Sequence, residues 1–302
     1  MRILLAFDGS SCSEVARDLV ASADWPEGTL VRAIAVLEHG PALFGVPWLA
    51  VTPIESAEIE AAIAGDLERS LEAAAAGLAA PGREVRHELI RGRPASAIVE
   101  DARRFGPDLI VLGSRGHGTL DAMLLGSTSA EVVDHAPCPV LVARRREVRR
   151  IVVGEDGSAG AGAAVDLLAA WPVWRGLPVS VVSVADVALP WDAGIAPGVY
   201  GPMLESYSEA RDETSRMHAA MAARTAERLS AAGLPAEPKT REGDPAAQLL
   251  RASDEDRADL LVVGCRGRTG LARLILGSVA RNVLIHARCS VLVVHQPAAP
   301  AA

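Results

Sequence analysis

"GSRGHGTLDAMLLGS", residues 113–127, is too glycine-rich for a helix and too regular for a loose loop. It carries Gly113, Gly116, Gly126 and Ser127, and the same spacing recurs in "GCRGRTGLARLILGS", residues 264–278. Two copies of one glycine pattern in one chain make an internal duplication the first thing to test.

Laying the chain on itself bears this out along most of its length. "ILLAFDGS" (3–10) matches "IVVGEDGS" (151–158), and "LLGSTSAEVVDHAPCPVLVAR" (124–144) matches "ILGSVARNVLIHARCSVLVVH" (275–295). The offset is 148 at Asp8/Asp156 and 151 from Pro94/Pro245 onward, so a net three-residue insertion lies between, expected in the loop after the second strand. The boundary falls near Arg146, giving domains 1–146 and 147–302. A chain of 302 residues is long enough for two such domains, each with its own core. Half of the residues are hydrophobic and 3% aromatic, so that core is built from Val, Leu, Ile and Ala.

Each copy reads as alternating strand and helix. In the first, "RILLAF", "LVRAIAVL", "EVRHELI", "DLIVLGS" and "PVLVAR" are strands, with helices over 11–23, 56–80, 94–105 and 127–135. Pro94 and Pro245 sit where a first helical turn tolerates proline. Apolar strands alternating with helices imply a parallel sheet covered on both faces. The segments 40–53 and 188–202, with Trp48, Trp191 and Tyr200, read as surface loops: covers over a site, or plain linkers.

In such a sheet ligands sit beyond the carboxyl ends of the strands. Gly113 and Gly264 fall at such an end, where glycine admits close approach of ligand and backbone and a positive φ. Gly116 and Gly267 free the loop to curl. Gly126-Ser127 and Gly277-Ser278 open the next helix, with each serine expected as N-cap, at a terminus suited to phosphate. The common alternatives fail. There is no GxxxxGK[ST], Lys239 being the one lysine of the chain, and no GxGxxG follows the first strand.

The G-x2-G-x9-G-[ST] pattern in both halves, an Asp closing each first strand, and the "HAPCPVLV" ending together resemble the universal stress protein family, over residues 1–296. The resemblance implies an α/β fold: two tandem Rossmann-like, adenine nucleotide alpha hydrolase-like domains, each a five-stranded parallel sheet of order 3-2-1-4-5 with helices on both faces. It also implies binding of ATP, with Mg²⁺, because motif-bearing members of the family bind ATP. Carried over, Asp8 and Asp156 would contact adenosine above Ala6 and Gly154, and Val36 and Val184 would offer backbone contacts to adenine. Gly113, Ser114, Arg115 and Gly116, with His117, Gly118 and Thr119, would wrap ribose and phosphates. Gly126, Ser127 and Thr128 would complete the cradle. The second copy offers Gly264, Cys265, Arg266 and Gly267, then Arg268, Thr269 and Gly270, and lastly Gly277, Ser278 and Val279. Arg268 in place of His117 puts a permanent charge beside the triphosphate, which should favour the second site, so the two affinities are expected to differ.

The remaining candidates have ordinary readings. Asp8 and Asp156 suit a turn and cap as well as catalysis or metal binding. His135 and His286 read as helix C-terminal residues, and Cys138 and Cys289 as inert core thiols. The net charge of -8 argues against nucleic acid. "RRREVRR" (144–150) reads as a solvated connector. No apolar run approaches the roughly 18 residues of a membrane span, and no signal-peptide core or paired-cysteine spacing is present, so a reduced cytoplasmic protein is expected. The expectation is a nucleotide-dependent regulator of stress response or growth, not an enzyme. A slow ATPase or phosphotransferase using Asp8 or Asp156 with a metal, and a ligand-free scaffold, stay open. The last strands, from Pro139 and Ser290, carry no charge or central proline to blunt an edge. The family's habit of pairing them makes an internal antiparallel pseudo-dimer the expectation, and a further homodimer of chains the next.

Overall fold

The computed structural model describes residues 1–38, 53–116, 125–186, 200–267 and 276–295. The first half runs β1 (Arg2–Ala6), α1 (Ser11–Ser22), β2 (Thr29–Leu37), α2 (Pro53–Gly77), β3 (Arg83–Arg91), α3 (Pro94–Phe105), β4 (Leu109–Gly113), α4 (Ser127–His135) and β5 (Val140–Ala143). The second repeats the order: β6 (Ile151–Gly154), α5 (Ala159–Ala170), β7 (Val179–Ala185), α6 (Tyr200–Ala231), β8 (Ala236–Glu242), α7 (Pro245–Glu255), β9 (Leu260–Gly264), α8 (Ser278–His286) and β10 (Ser290–Val294). Tyr200 and Pro202, expected in a loop, lie in the first turn of α6; the rest of that segment, and 40–52, lie outside the described residues.

The described strands form one sheet of order β3-β2-β1-β4-β5-β10-β9-β6-β7-β8, so each half has the order 3-2-1-4-5. Pairing is parallel within each half and antiparallel between β5 and β10, with Leu141 opposite Leu292. The predicted meeting of the two last strands is what the register shows. The sheet's outer edges are β3, "REVRHELIR", and β8, "AEPKTRE", whose charged, largely exposed side chains discourage further strand pairing.

Side-chain alternation divides the core between two faces. Ile3 and Leu5 point to α1 and α2 with Leu19, Leu71 and Leu78, whereas Leu4 points to α3 and α4 with Ile98, Val99 and Val132. Both layers run unbroken across the seam: Leu141 and Leu292 share one, Val140, Val142, Val291 and Val293 the other. Helix α3 shows how local sequence sets an element. Pro94 stands in its first turn, Ala95, Ile98, Val99 and Ala102 repeat at helical spacing on the buried face, and Gly106 closes it at φ 63°.

The halves stay in step until β2 and β7, where Leu37 and Ala185 differ by 148, and fall out of step by Leu71 and Ala222, which differ by 151. The insertion thus lies in the connection after the second strand or the start of the long helix beyond it.

Candidate functional site

The site grows from the turn after β1. Gly9 takes φ 79°, and the Asp8 Oδ1 accepts the Ser10 N–H at 3.0 Å. Ser10 Oγ then caps α1 by accepting from the Ser13 N–H at 3.2 Å, and donates to the Arg115 carbonyl at 3.3 Å. The cap of α1 is therefore Ser10, and Asp8 serves the turn before it. The second half repeats this network: Asp156 Oδ1 accepts from Ser158 N–H (2.9 Å), and Ser158 Oγ accepts from Ala161 N–H (3.1 Å) and donates to Arg266 O (3.3 Å).

The motif glycines act differently from the sequence reading. Gly113, Gly116, Gly264 and Gly267 are not among the glycines with positive φ. A Cβ on Gly113 would lie 2.6 Å from the Cys12 carbonyl carbon, so this glycine lets β4 pass against the start of α1. Gly264 stands in the same way against Gly160. A Cβ on Gly116 would lie 2.5 Å from Asp8 Oδ2, and one on Gly267 2.9 Å from Asp156 Oδ2. These glycines lay the loop over the aspartate.

The serines are corrected by one position. Gly126 and Gly277 are the N-caps of α4 and α8, with extended backbones (φ -66° and -62°) and no side-chain cap; Ser127 and Ser278 are the first helical residues. The glycine N–H groups bond Ser114 O and Cys265 O, both at 2.9 Å. A glycine cap leaves the first N–H groups of the helix without a side-chain acceptor, in position for an anion at the positive end of the helix dipole.

In the first half these parts enclose a cleft of about 760 Å³ beyond the ends of β1, β2 and β4. Ala6, Asp8, Val36, Gly113, Arg115, Gly116, Gly126, Ser127 and Thr128 all line it. The sequence reading missed Phe7, Ser13, Ile34, Glu38, Pro94, Ile98, Leu112, Leu125 and Ser129, which line it too. Ile34 was legible two residues before Val36, on the same face of β2, and Ile98 four after Pro94. One wall is thus apolar (Ile34, Val36, Ile98, Leu112) and the opposite mouth holds backbone donors and Arg115. Ser114 turns away, its Oγ 3.8 Å from the Cys12 sulfur. His117, Gly118 and Thr119 lie outside the described residues, as do Arg268, Thr269 and Gly270.

The second half keeps the backbone of this arrangement and changes its lining. Gly154 replaces Ala6, and a Cβ there would lie 3.2 Å from Leu249 Cδ1, so the leucine leans into the floor. Val184, Cys265 and Leu276 are buried. On the other face of the sheet, Phe7, Ala35, Leu67 and Ala74 give way to Glu155, Ser183, His218 and Thr225. Glu155 Oε1 accepts from Gly157 N–H (2.8 Å) and Oε2 from Thr225 Oγ (3.0 Å); Ser183 Oγ donates to Glu155 O (2.7 Å) and lies 2.7 Å from His218 Nδ1.

His135 and His286 end α4 and α8 as expected. Burial pushes the Cys138 thiol up to about 12 and the Cys289 thiol to about 11, so neither is a thiolate near neutrality. Within "RRREVRR", Arg145, Arg146, Arg149 and Arg150 are exposed, but Arg144 is half-buried and its Nη2 donates to Leu284 O at 2.6 Å. The solvated-connector reading fails at that residue because Arg144 directly follows β5 and still packs against the end of α8 and the start of β10. Among the described residues, no helix is long and apolar enough to cross a membrane.

The model of the Universal stress protein family matches residues 1–144 and again 147–295. A universal stress protein of Mycolicibacterium smegmatis is 28% identical over 308 residues, covering 97% of this chain and 96% of the relative. One from Thermus aquaticus is 36% identical over 145 residues, covering 47% of this chain and 97% of the relative, the length of a single half. Among solved structures, a universal stress protein from Archaeoglobus fulgidus superposes with a TM-score of 0.60 at 20% identity, over 97% of this chain and 98% of that one. The duplicated motif, the 3-2-1-4-5 sheets and the twofold family match agree: the chain belongs to the universal stress protein family, as two tandem copies of its domain.

Proposed function

We propose that the chain binds ATP, one molecule in each half, and acts as a nucleotide-dependent regulator in stress response or growth control rather than as a catalyst. The observation that carries this reading is the first-half cleft, where an apolar wall faces a helix start capped by glycine. An adenine ring suits Ile34, Val36, Ile98 and Leu112, and a phosphate chain suits the open N–H groups at Ser127 and Thr128 and the Arg115 side of the mouth. The donor set is backbone N–H plus hydroxyl, which binds polyphosphate without a lysine. Mg²⁺ in this reading arrives on the phosphates, with Asp8 and Glu38 as the carboxylates of the cleft. Asp8 holds its own turn through Oδ1, which supports a positioning role over a chemical one. A soluble cytoplasmic protein and a two-fold dimer of chains, the commonest closed assembly, complete the reading.

Calorimetry with ATP and Mg²⁺ tests it. Two sites of unequal affinity per chain are expected, since Leu249 narrows the second floor. A stoichiometry of one would confine the function to the first half, and no binding would overturn the assignment. Turnover assays on the wild type and on Asp8→Asn, Asp156→Asn address the catalytic alternative: phosphate release that depends on the aspartates would refute a purely binding role.

A further inference from the structure

A second cleft, of about 420 Å³, lies at the seam between the halves. Its walls are the first turn of α1 (Cys12, Val15), the loop after β4 (Ser114, Arg115), the exit of β5 (Arg144) and the end of α8 through Arg288. Among the described residues, no acidic side chain lines it. Many of the described arginines are paired with carboxylates, among them Arg32 with Asp101 and Arg281 with Asp134. Arg144 is not: its side chain reaches only the Leu284 and Cys289 carbonyls, and Arg115 stands close enough for the two guanidiniums to repel. Arg288 is exposed and makes no ion pair among the described residues.

The duplication supplies an internal control. At the corresponding cleft of the other half His295 replaces Arg144, Pro137 replaces Arg288 and Asp134 replaces Ile285. The fold accepts those residues, so it does not itself require the arginines. A cleft in which Arg144 and Arg288 carry no ion pair among the described residues, present once in a duplicated scaffold, has a ligand-binding reason to exist.

We propose that this cleft binds a small phosphate monoester, independently of the nucleotide sites. Arg115, Arg144 and Arg288 approach from three elements, which suits a tetrahedral dianion, and guanidinium forks bind phosphate oxygens two at a time. The start of α1 adds the positive end of a 12-residue helix. Val15, Ala143, Ile285 and Ala287 leave an apolar wall for an organic group, and the volume matches a sugar phosphate. Arg115 lines both this cleft and the first-half site, so occupancy of one is placed to bias the other.

Ribose 5-phosphate and inorganic phosphate are the probes, titrated into the full chain by calorimetry. Ribose 5-phosphate is expected to bind once per chain and more tightly than inorganic phosphate. Arg288→Glu, at an exposed position that leaves the fold intact, should weaken it by at least about tenfold, and Arg144→Gln should do the same. Cys12 reports on location, since it lines this cleft and not the first-half one: bound ribose 5-phosphate should slow its alkylation in the wild type and not in Arg288→Glu. Unchanged affinity in Arg288→Glu, or alkylation of Cys12 indifferent to the ligand, would overturn the site. Equal affinity for inorganic phosphate would overturn the ester.

Discussion

Leu141 of β5 lies directly opposite Leu292 of β10, both fully buried, at the centre of the antiparallel seam that makes two domains one sheet. They occupy equivalent positions in the two copies and share one hydrophobic layer. The contact is thus self-complementary, as in a two-fold dimer, but covalently closed within one chain.

Leu141→Ala or Leu292→Ala should each cost about 2–5 kcal/mol, the range for a leucine removed from a close-packed core. Lysine at either position should do more, separating the halves and exposing two strand edges to aggregation. Denaturant melts followed by light scattering check both. Wild-type stability in Leu141→Lys would mean that the seam contributes nothing.

The motif glycines should separate by role. Gly113→Ala is expected to destabilise the fold by roughly 1–3 kcal/mol, because its methyl has nowhere to go against the Cys12 backbone. Gly116→Val should leave the melting curve nearly unchanged, since that residue is exposed, yet displace the Asp8 carboxylate and lower ATP affinity at least tenfold. Gly267→Val should act likewise on the second half. Comparing melting temperature with calorimetric affinity for each variant distinguishes the two kinds of glycine.

The same residues set how much of the fold and site the sequence alone foretells. The strands were readable because "LIVLG" and "LLVVG" are apolar throughout and recur with their glycines, whereas their order came from the family resemblance. The cap was misplaced by one residue because whether Gly126 or Ser127 leaves the helix depends on a backbone dihedral that composition does not fix. Arg144 was invisible inside a basic run whose other arginines are solvated. The pairing of Ser183 with His218 spans two elements of the second copy only, so the repeat comparison that exposed everything else passed over it.

That polar cluster carries its own expectation. Thr225→Val removes the hydroxyl that donates to Glu155 Oε2 and leaves a buried carboxylate oxygen without its partner. A loss of about 1–3 kcal/mol is expected. Glu155→Phe combined with Thr225→Ala restores the first half's residues and should recover much of that loss. A double-mutant cycle reads the coupling directly; additive effects would show that the hydrogen bond contributes nothing.

Stability should also fall in mild acid through His295. Burial, with help from the Arg266 charge, holds this imidazole below its ordinary pKa, while Val133 O and Asp134 act the other way. A histidine depressed in the folded state binds its proton more readily when unfolded. Its contribution is therefore complete above the unfolded pKa of about 6.5 and is lost as pH drops below it. His295→Asn should flatten the pH dependence of unfolding between about pH 6.5 and 5, a window set by that unfolded value and the downward shift. An unchanged slope would place the proton elsewhere.

The antiparallel seam has a last consequence. All strands of one half point one way and all strands of the other point back, so the carboxyl ends that frame the two proposed nucleotide sites stand at opposite rims of a single sheet. A partner protein docked over one rim cannot touch the other site. In the proposed role the chain would work like a two-headed instrument: each nucleotide state would face a different listener, and any message between the heads would have to pass through the shared strands at its middle.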